Sequence, residues 1–160
     1  MRILIVDDHF GMRQTLVRVF HEAVEMQVVG EAADGCEAVE RARELKPDVV
    51  VMDVEMPRLD GIGATRQILA EQPDVRIIGL STHHSHVYVR AMFAAGACAY
   101  VLKDEMLPDL IEAVEAAADG QTYLSPSLTS CLPPEILFAW PREACCNEAE
   151  AMRAERPAGL

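Results

Sequence analysis

The chain has 160 residues, which is the size of one domain and little more. Its 26 Asp and Glu residues outnumber 14 Lys and Arg residues, and the net charge of −12 argues against direct binding to nucleic acid. No apolar run reaches the length of a membrane span, and the first one is too short for a signal peptide. We therefore expect a cytoplasmic protein with no membrane partner.

Five short runs rich in Val and Ile recur along the chain at nearly even intervals. None of them alternates polar with apolar residues, so each is predicted to be a strand that is buried on both faces. The predicted strands are residues 3–6, 28–32, 49–52, 77–80 and 97–102.

Amphipathic helical patterns lie between these runs. The apolar stripes consist of Leu16, Val19, Phe20, Ala23 and Val24, then Ala38, Val39, Ala42 and Leu45, and finally Leu107, Leu110, Ile111, Val114, Ala117 and Ala118. Strands that alternate with helices predict an α/β fold in which helices cover both faces of a parallel sheet. The expected architecture is a (βα)₅ unit with a doubly wound, five-stranded parallel sheet.

The composition changes after Ser125. Five of the nine prolines lie in the last 35 residues, starting at Pro126. We therefore divide the chain into a domain at residues 1–125 and a tail at residues 126–160. The tail is predicted to be partly helical or disordered, with a short helix around residues 143–153.

Chemically reactive side chains follow four of the predicted strands. Asp7 and Asp8 follow the first, Asp53 the third and Ser81 the fourth, and Lys103 follows the fifth. Open α/β sheets bind ligands beyond the carboxyl ends of their strands, so these five side chains should meet at one edge. Three carboxylates repel one another unless a cation joins them, and oxygen-only ligands suit Mg²⁺. An Asp carboxylate can also accept a phosphoryl group; the alternative is that these acids only cap helices.

The loops that contain these residues are similar to those of a known family. The similar segments are residues 6–9, 53–61, 80–82, 95–97 and 100–104. In order and spacing they resemble the receiver domain of two-component response regulators, which has a CheY-like, flavodoxin-like fold. The resemblance covers residues 1 to about 125 and is greatest to regulators of the NarL/FixJ (LuxR-like) type. It implies the strand order 2-1-3-4-5 and a function in phosphorelay signal transduction.

The resemblance also implies a role for each residue of the acidic site. Asp53 would be the phospho-acceptor, and Lys103 would pair with the phosphoryl group. The magnesium ion would be held by Asp7, Asp8, Asp53 and the backbone carbonyl of Glu55, with Asp8 as the more direct side-chain ligand.

A switch pair and a group of histidines complete the prediction. Ser81 and Tyr100 would reshape the face formed by helix 4, strand 5 and helix 5, although Tyr100 could instead be an edge-strand residue that only packs. Glu55 and His83 occupy positions that face the phosphoryl group in this family and tune its hydrolysis. The cluster of His83, His84 and His86 is predicted to lie on a solvated loop that opens helix 4, because neighbouring histidines rarely converge on one ion.

The tail departs from the NarL/FixJ pattern. Such regulators continue into a helix-turn-helix domain, whereas the last 35 residues here carry a net negative charge. Their single glycine, Gly159, lies too close to the end of the sequence to form a turn between two helices. We therefore expect no output domain and no direct nucleic-acid binding by this chain. The expected partner is a histidine kinase or a phosphotransfer protein, and a homodimer is a further prediction. We expect no enzymatic activity beyond the chain's own aspartyl phosphorylation and dephosphorylation.

Three alternatives remain open at this stage. The chain could be an interaction module that does not use phosphorylation, or a truncated remnant of a DNA-binding transcriptional regulator. A small hydrolase like the dehalogenase-like phosphatases is the third alternative. In those enzymes the nucleophile follows strand 1 in an Asp-x-Asp pattern, whereas Asp7 and Asp8 are adjacent here.

Overall fold

The computed structural model of the protein describes residues 1–132, apart from the side chains of residues 106–108 and 131. The strands in this part of the chain are β1 (Arg2–Val6), β2 (Gln27–Ala32), β3 (Val49–Asp53), β4 (Arg76–Ser81), β5 (Ala99–Leu102) and β6 (Tyr123–Leu124). The helices are α1 (Phe10–His21), α2 (Gly35–Leu45), α3 (Gly61–Glu71), α4 (His86–Ala94), α5 (Met106–Ala118) and α6 (Pro126–Cys131).

The strands form one parallel sheet in the order β2-β1-β3-β4-β5-β6. This confirms the α/β class and the predicted order 2-1-3-4-5, and it adds a sixth strand at one edge. In β6, Tyr123 pairs with Ala99 and Leu124 pairs with Tyr100. Two residues are too few to show a periodic pattern, which is why the sequence did not predict this strand.

Two separate hydrophobic cores cover the two faces of the sheet. Phe20 of α1 and Leu110 of α5 pack on one face, and Ile68 of α3 and Met92 of α4 pack on the other. The doubly wound arrangement follows because the central strands are apolar on both faces. The edge strand β2 differs from the prediction: most of its residues are only half-buried, because one side of an edge strand has no neighbour.

The first helix is shorter than its apolar stripe suggests. The stripe includes Ala23 and Val24, but α1 ends at His21 and Val24 is fully exposed. The amide of Ala23 donates to the carbonyl of Phe20, and this turn redirects the chain toward β2. The first half of the stripe is correct, because Leu16 and Phe20 are completely buried.

The start of the predicted tail packs on the domain. Leu128 of α6 and the adjacent Leu132 belong to the core on the α4 side of the sheet, and the hydroxyl of the buried Ser125 donates to Asp109 at 2.8 Å. The predicted helix at residues 143–153 lies outside the described residues, and the boundary at residue 125 stays a prediction. Within residues 1–132, no helix is long and apolar enough to cross a membrane.

Candidate functional site

The structure brings together the polar side chains at the carboxyl ends of four strands. Asp7 follows β1, Asp53 ends β3 and Ser81 ends β4, and each of these three side chains is almost completely buried. Lys103 follows β5, and its backbone amide donates to the carbonyl of Ser81 at 2.9 Å. Four neighbouring strands therefore fix the positions of an ammonium group, a hydroxyl group and two carboxylates.

Lys103 connects the two buried carboxylates. Its Nζ lies 2.7 Å from Asp7 Oδ2 and 3.0 Å from Asp53 Oδ2, and its side chain is only 10% exposed. Burial lowers the pKa of Lys103, but its contacts with Asp7 and Asp53 outweigh burial and leave the pKa above its usual value. The ammonium group therefore stays charged in the pocket.

The carboxyl group of Asp53 is harder to ionise than an ordinary aspartate. Burial is the main cause, the negative charge of Asp7 adds to it, and Lys103 opposes it, so that the pKa of Asp53 rises to about 6. One ammonium group thus does not fully compensate two buried carboxylates. An additional positive charge in this pocket would favour the ionised form of Asp53.

Asp8 has a carboxylate oxygen that accepts no hydrogen bond within residues 1–132 and could bind a cation. Both oxygens of Asp7 are engaged, because Oδ1 accepts the backbone N–H of His9 at 2.8 Å and Oδ2 accepts from Lys103. Asp8 Oδ1, in contrast, is shielded from solvent and has no hydrogen-bond partner among the described residues. A buried oxygen without a hydrogen-bond partner in this part of the chain, beside two further carboxylates, fits a divalent cation such as Mg²⁺.

The capping alternative fails for the three acids of the pocket. The residue that caps the N-terminus of α1 is His9, not Asp7 or Asp8. Other aspartates do cap helices: Asp34 accepts from the amide of Glu37 at the start of α2, and Asp60 caps α3 in the same way. Asp7 and Asp8 after β1 and Asp53 at the end of β3 therefore do not serve as helix caps.

The loop after β3 passes very close to Asp53. A Cβ atom on Gly61 would lie 2.0 Å from the backbone carbonyl oxygen of Asp53, so no other residue fits there without a shift of the backbone. This loop forms one wall of an open cavity of about 420 Å³ that is lined by Asp8, Val54, Glu55, Met56, Pro57, Asp60, Ile62 and Tyr88. Asp8 is the residue of the acidic site that faces this cavity.

Tyr100 points into the protein and contacts the loop after β4. Its ring is completely buried, and its hydroxyl donates to the carbonyl of His83 at 3.1 Å. The amide of His83 in turn donates to Oγ of Ser81 at 3.0 Å. Burial raises the pKa of Tyr100 to about 12. Tyr100 does not lie on an edge strand, because β6 pairs with the outer side of β5; its role as a switch residue stays a prediction.

Glu55 is held by two aromatic side chains at the mouth of the site. Its carboxylate lies 2.6 Å from Nε2 of His83 and accepts the hydroxyl of Tyr88 at 2.8 Å. The rings of His83 and Tyr88 are stacked with centroids 4.5 Å apart. The hydrogen bonds from His83 and Tyr88 lower the pKa of Glu55. Sequence reasoning missed Tyr88, although the helix N-cap at Ser85 marks the turn that positions it.

The histidines of the loop before α4 do not converge on one point. His83 pairs with Glu55, His84 Nε2 lies 3.4 Å from Asp104 Oδ2, and His86 is the first residue of α4. The prediction of a loop that opens helix 4 is correct for His83 and His84, whereas His86 already belongs to the helix. In the part of the chain that the structure describes, one group of side chains could hold a metal ion; it consists of Asp7, Asp8, His9 and Asp53.

The sequence matches the family model for the response regulator receiver domain over residues 3–115. The chain belongs to the receiver domains of response regulators. It is 37% identical over 132 residues to the response regulator GacA of Pseudomonas viridiflava. The matched segment covers 82% of this chain and 62% of GacA. It is 38% identical over 135 residues to the transcriptional regulatory protein DegU of Brevibacillus brevis, covering 84% of this chain and 57% of DegU. This receiver chain thus spans about 60% of the length of these relatives.

Solved structures agree with this assignment. The receiver is similar to the response regulator domain of Thermotoga maritima CheB, with a TM-score of 0.71 and 36% identity over 74% of this chain and 96% of that one. It is also similar to a two-component response regulator of the LuxR family from Aurantimonas sp., with a TM-score of 0.78 and 37% identity over 81% of this chain and 92% of that one. These matches confirm the resemblance to LuxR-like regulators.

Proposed function

We propose that the receiver takes part in a phosphorelay and accepts a phosphoryl group on Asp53 from a histidine kinase or a phosphotransfer protein. The observation that carries the proposal is the position of Asp53. Its carboxylate is held in place by Lys103 and by the amide of Glu55, and the two residues that follow it, Val54 and Glu55, line the open cavity. A nucleophile fixed beside an ammonium group is what phosphoryl transfer requires, because the reaction depends on positioning and charge compensation.

The chemical step is a displacement at phosphorus. A carboxylate oxygen of Asp53 attacks the phosphorus atom of a phosphohistidine, and a P–O bond forms. The P–N bond breaks, and the imidazole leaves with the electron pair. The product is an acyl phosphate on Asp53 and a free histidine on the donor.

Two positive groups would compensate the charge that arrives with the phosphoryl group. Lys103 is already within 3.0 Å of Asp53 and would contact the phosphoryl oxygens. A magnesium ion would be held by Asp7, Asp8, Asp53 and the backbone carbonyl of Glu55, and would supply electrostatic stabilisation of the phosphoryl oxygens. The donor-free Oδ1 of Asp8 supports this assignment.

Phosphorylation would be transmitted by the loop after β4. The hydroxyl of Ser81 would turn from the amide of His83 toward a phosphoryl oxygen, which withdraws one of the hydrogen bonds that fix this loop. Tyr100 holds the same loop through the carbonyl of His83, so the two contacts are coupled by one residue. The added charge would thus bias a local two-state element next to α4.

The change at α4 would be presented to a partner or to a second copy of the chain. One relative of known structure, RcsB, has been seen as two dimers bound to two parallel DNAs, with 25% identity and a TM-score of 0.75. For this receiver we propose dimerisation or partner binding without direct contact to nucleic acid, since its net charge is −12.

To test phosphorylation of Asp53, the full chain is treated with phosphoramidate and Mg²⁺. Phosphoramidate is chosen because it contains a P–N bond like that of phosphohistidine. Intact-mass measurement should show one added phosphoryl group in the wild type and none in Asp53→Asn. The matched control is Asp74→Asn, an exposed aspartate before β4, which should be modified like the wild type. Equal modification of wild type and Asp53→Asn would refute the proposal.

A second measurement separates the proposal from the alternative of a phosphorylation-independent module. Beryllofluoride with Mg²⁺ mimics the phosphoryl group, and amide NMR shifts should then change in the loop after β4 and in α4. No change of these shifts in a chain that does bind beryllofluoride would favour the phosphorylation-independent module.

A further inference from the structure

His9 stands at the rim of the acidic pocket, and its side chain has no structural task in the helix that it precedes. It is the N-cap residue of α1, but its imidazole makes no capping hydrogen bond. Its ring is 75% exposed, so it does not contribute to the core. Its Nδ1 atom nevertheless faces the pocket, 2.8 Å from Asp8 Oδ1 and 3.5 Å from Asp7 Oδ1.

The close approach of His9 to Asp8 lacks the geometry of a hydrogen bond. Asp8 Oδ1 accepts no hydrogen bond from any described residue, although His9 Nδ1 is at a suitable distance. The N–H direction of the ring is therefore not aimed at this oxygen. Two atoms in this relation lie side by side, as two ligands of one ion do.

The closest pair of ligand atoms, Asp8 Oδ1 and His9 Nδ1, has the spacing of neighbouring ligands of one small ion. Asp7, Asp8, His9 and Asp53 each offer one atom, and all four atoms lie within 4.8 Å of one another. With metal–ligand bonds of about 2.1 Å, neighbouring ligand atoms in an octahedral site are about 3 Å apart and opposite ones about 4.2 Å apart. The separation of Asp8 Oδ1 from His9 Nδ1 is that of neighbouring ligands.

An imidazole changes which ion such a pocket prefers. Mg²⁺ is a hard ion that takes oxygen ligands and gains little from nitrogen. First-row transition ions bind imidazole as well as carboxylate, and their affinity for mixed nitrogen and oxygen sites exceeds that of Mg²⁺. Mn²⁺ suits octahedral, carboxylate-rich sites as Mg²⁺ does. As a first-row transition ion it gains more than Mg²⁺ from an added imidazole.

We propose that Nδ1 of His9 is a further ligand of the metal ion in this receiver, beside Asp7, Asp8 and Asp53, and that it makes the pocket selective for Mn²⁺ over Mg²⁺. The inference uses the metal pocket of the proposed function, but it does not require that Asp53 be phosphorylated. It assigns to His9 a role that the three carboxylates alone cannot fill.

The first test compares the affinities of the two ions for the full chain by isothermal titration calorimetry. We expect His9→Ala to lower the affinity for Mn²⁺ by about tenfold and to change the affinity for Mg²⁺ by less than about twofold. The matched control is His86→Ala, which removes another exposed histidine at the start of a helix and should change neither affinity. Equal changes for both ions in His9→Ala would overturn the inference, because they would indicate an effect of the imidazole on the local charge only.

The second test detects the nitrogen ligand directly. Pulsed EPR of the Mn²⁺-loaded wild type should show a ¹⁴N coupling of a bound imidazole, and this coupling should be absent in His9→Ala and present in His86→Ala. Absence of the coupling in the wild type would overturn the inference. So would Mn²⁺ binding that is unaffected by Asp8→Asn, since the ion would then be bound elsewhere.

The two proposals fail in different ways. If the ion preference depends on His9 but phosphoramidate does not modify Asp53, the role of His9 as a metal ligand is supported and the phosphorelay function is refuted. If Asp53 is phosphorylated but His9→Ala leaves the ratio of the two affinities unchanged, the function stands and the role of His9 falls.

Discussion

Replacement of Asp53 by Asn should make the metal-free protein more stable at neutral pH, although it removes the proposed phospho-acceptor. Burial and the charge of Asp7 raise the pKa of Asp53 from 3.8 to about 6, so folding favours the protonated carboxyl group. Ionisation of Asp53 at neutral pH therefore costs the folded state at most about 3 kcal/mol. Asn has the size of the protonated acid and does not ionise, so Asp53→Asn removes this destabilisation.

The effect has a sign and a pH window that follow from this pKa. A carboxyl group whose pKa is raised in the folded state destabilises the protein as pH rises from about 4 to about 6, and the cost is constant above that range. The difference in unfolding free energy between Asp53→Asn and wild type should thus be about 1 kcal/mol near pH 4.5 and about 3 kcal/mol near pH 7.5. Urea denaturation in the presence of a chelator, followed by far-UV circular dichroism, measures it.

The control for this experiment is Asp74→Asn, which changes the net charge equally at an exposed position and should leave the unfolding free energy nearly unchanged. A wild type that is more stable than Asp53→Asn near pH 7.5, or a difference that does not depend on pH, would refute the reasoning. Either result would mean that Lys103 compensates Asp53 fully in the folded protein.

Three further changes test other parts of the structure. Gly61→Ala should cost at least about 2 kcal/mol of unfolding free energy, because the added Cβ would meet the carbonyl of Asp53 at 2.0 Å, whereas Gly11→Ala should not destabilise; similar values for both would contradict the close approach. Leu128→Ala should cost about 2–5 kcal/mol because Leu128 is fully buried, and a cost below about 0.5 kcal/mol would show that α6 does not pack on the domain. Mg²⁺ should raise the melting temperature of the wild type as its concentration rises but not that of Asp8→Asn; an equal rise in both would place the ion outside the pocket.

The strands and the loops beside the site could be predicted because they depend on local pattern. Buried runs of Val and Ile identified β1, β3 and β4, and the parallel arrangement then placed Asp7, Asp53 and Lys103 at one edge. Short or irregular elements were beyond this reasoning. The strand β6 consists of two residues, and its pairing with β5 comes from the docking of the chain after α5.

The sequence by itself determined the fold class, the strand order through the family resemblance, and the set of acidic and basic groups that meet at the carboxyl edge. The fold class and these groups follow from hydrophobic periodicity and from residues at strand ends, which are properties of short segments, whereas the strand order came from the resemblance alone. Only the tertiary structure decided how charge is shared in the pocket: Lys103 binds both Asp7 and Asp53, and Asp8 keeps an oxygen without a hydrogen-bond partner among the described residues. It also decided that His9 faces the acids. Distances between side chains from different strands depend on how the whole sheet packs, and no local pattern encodes them.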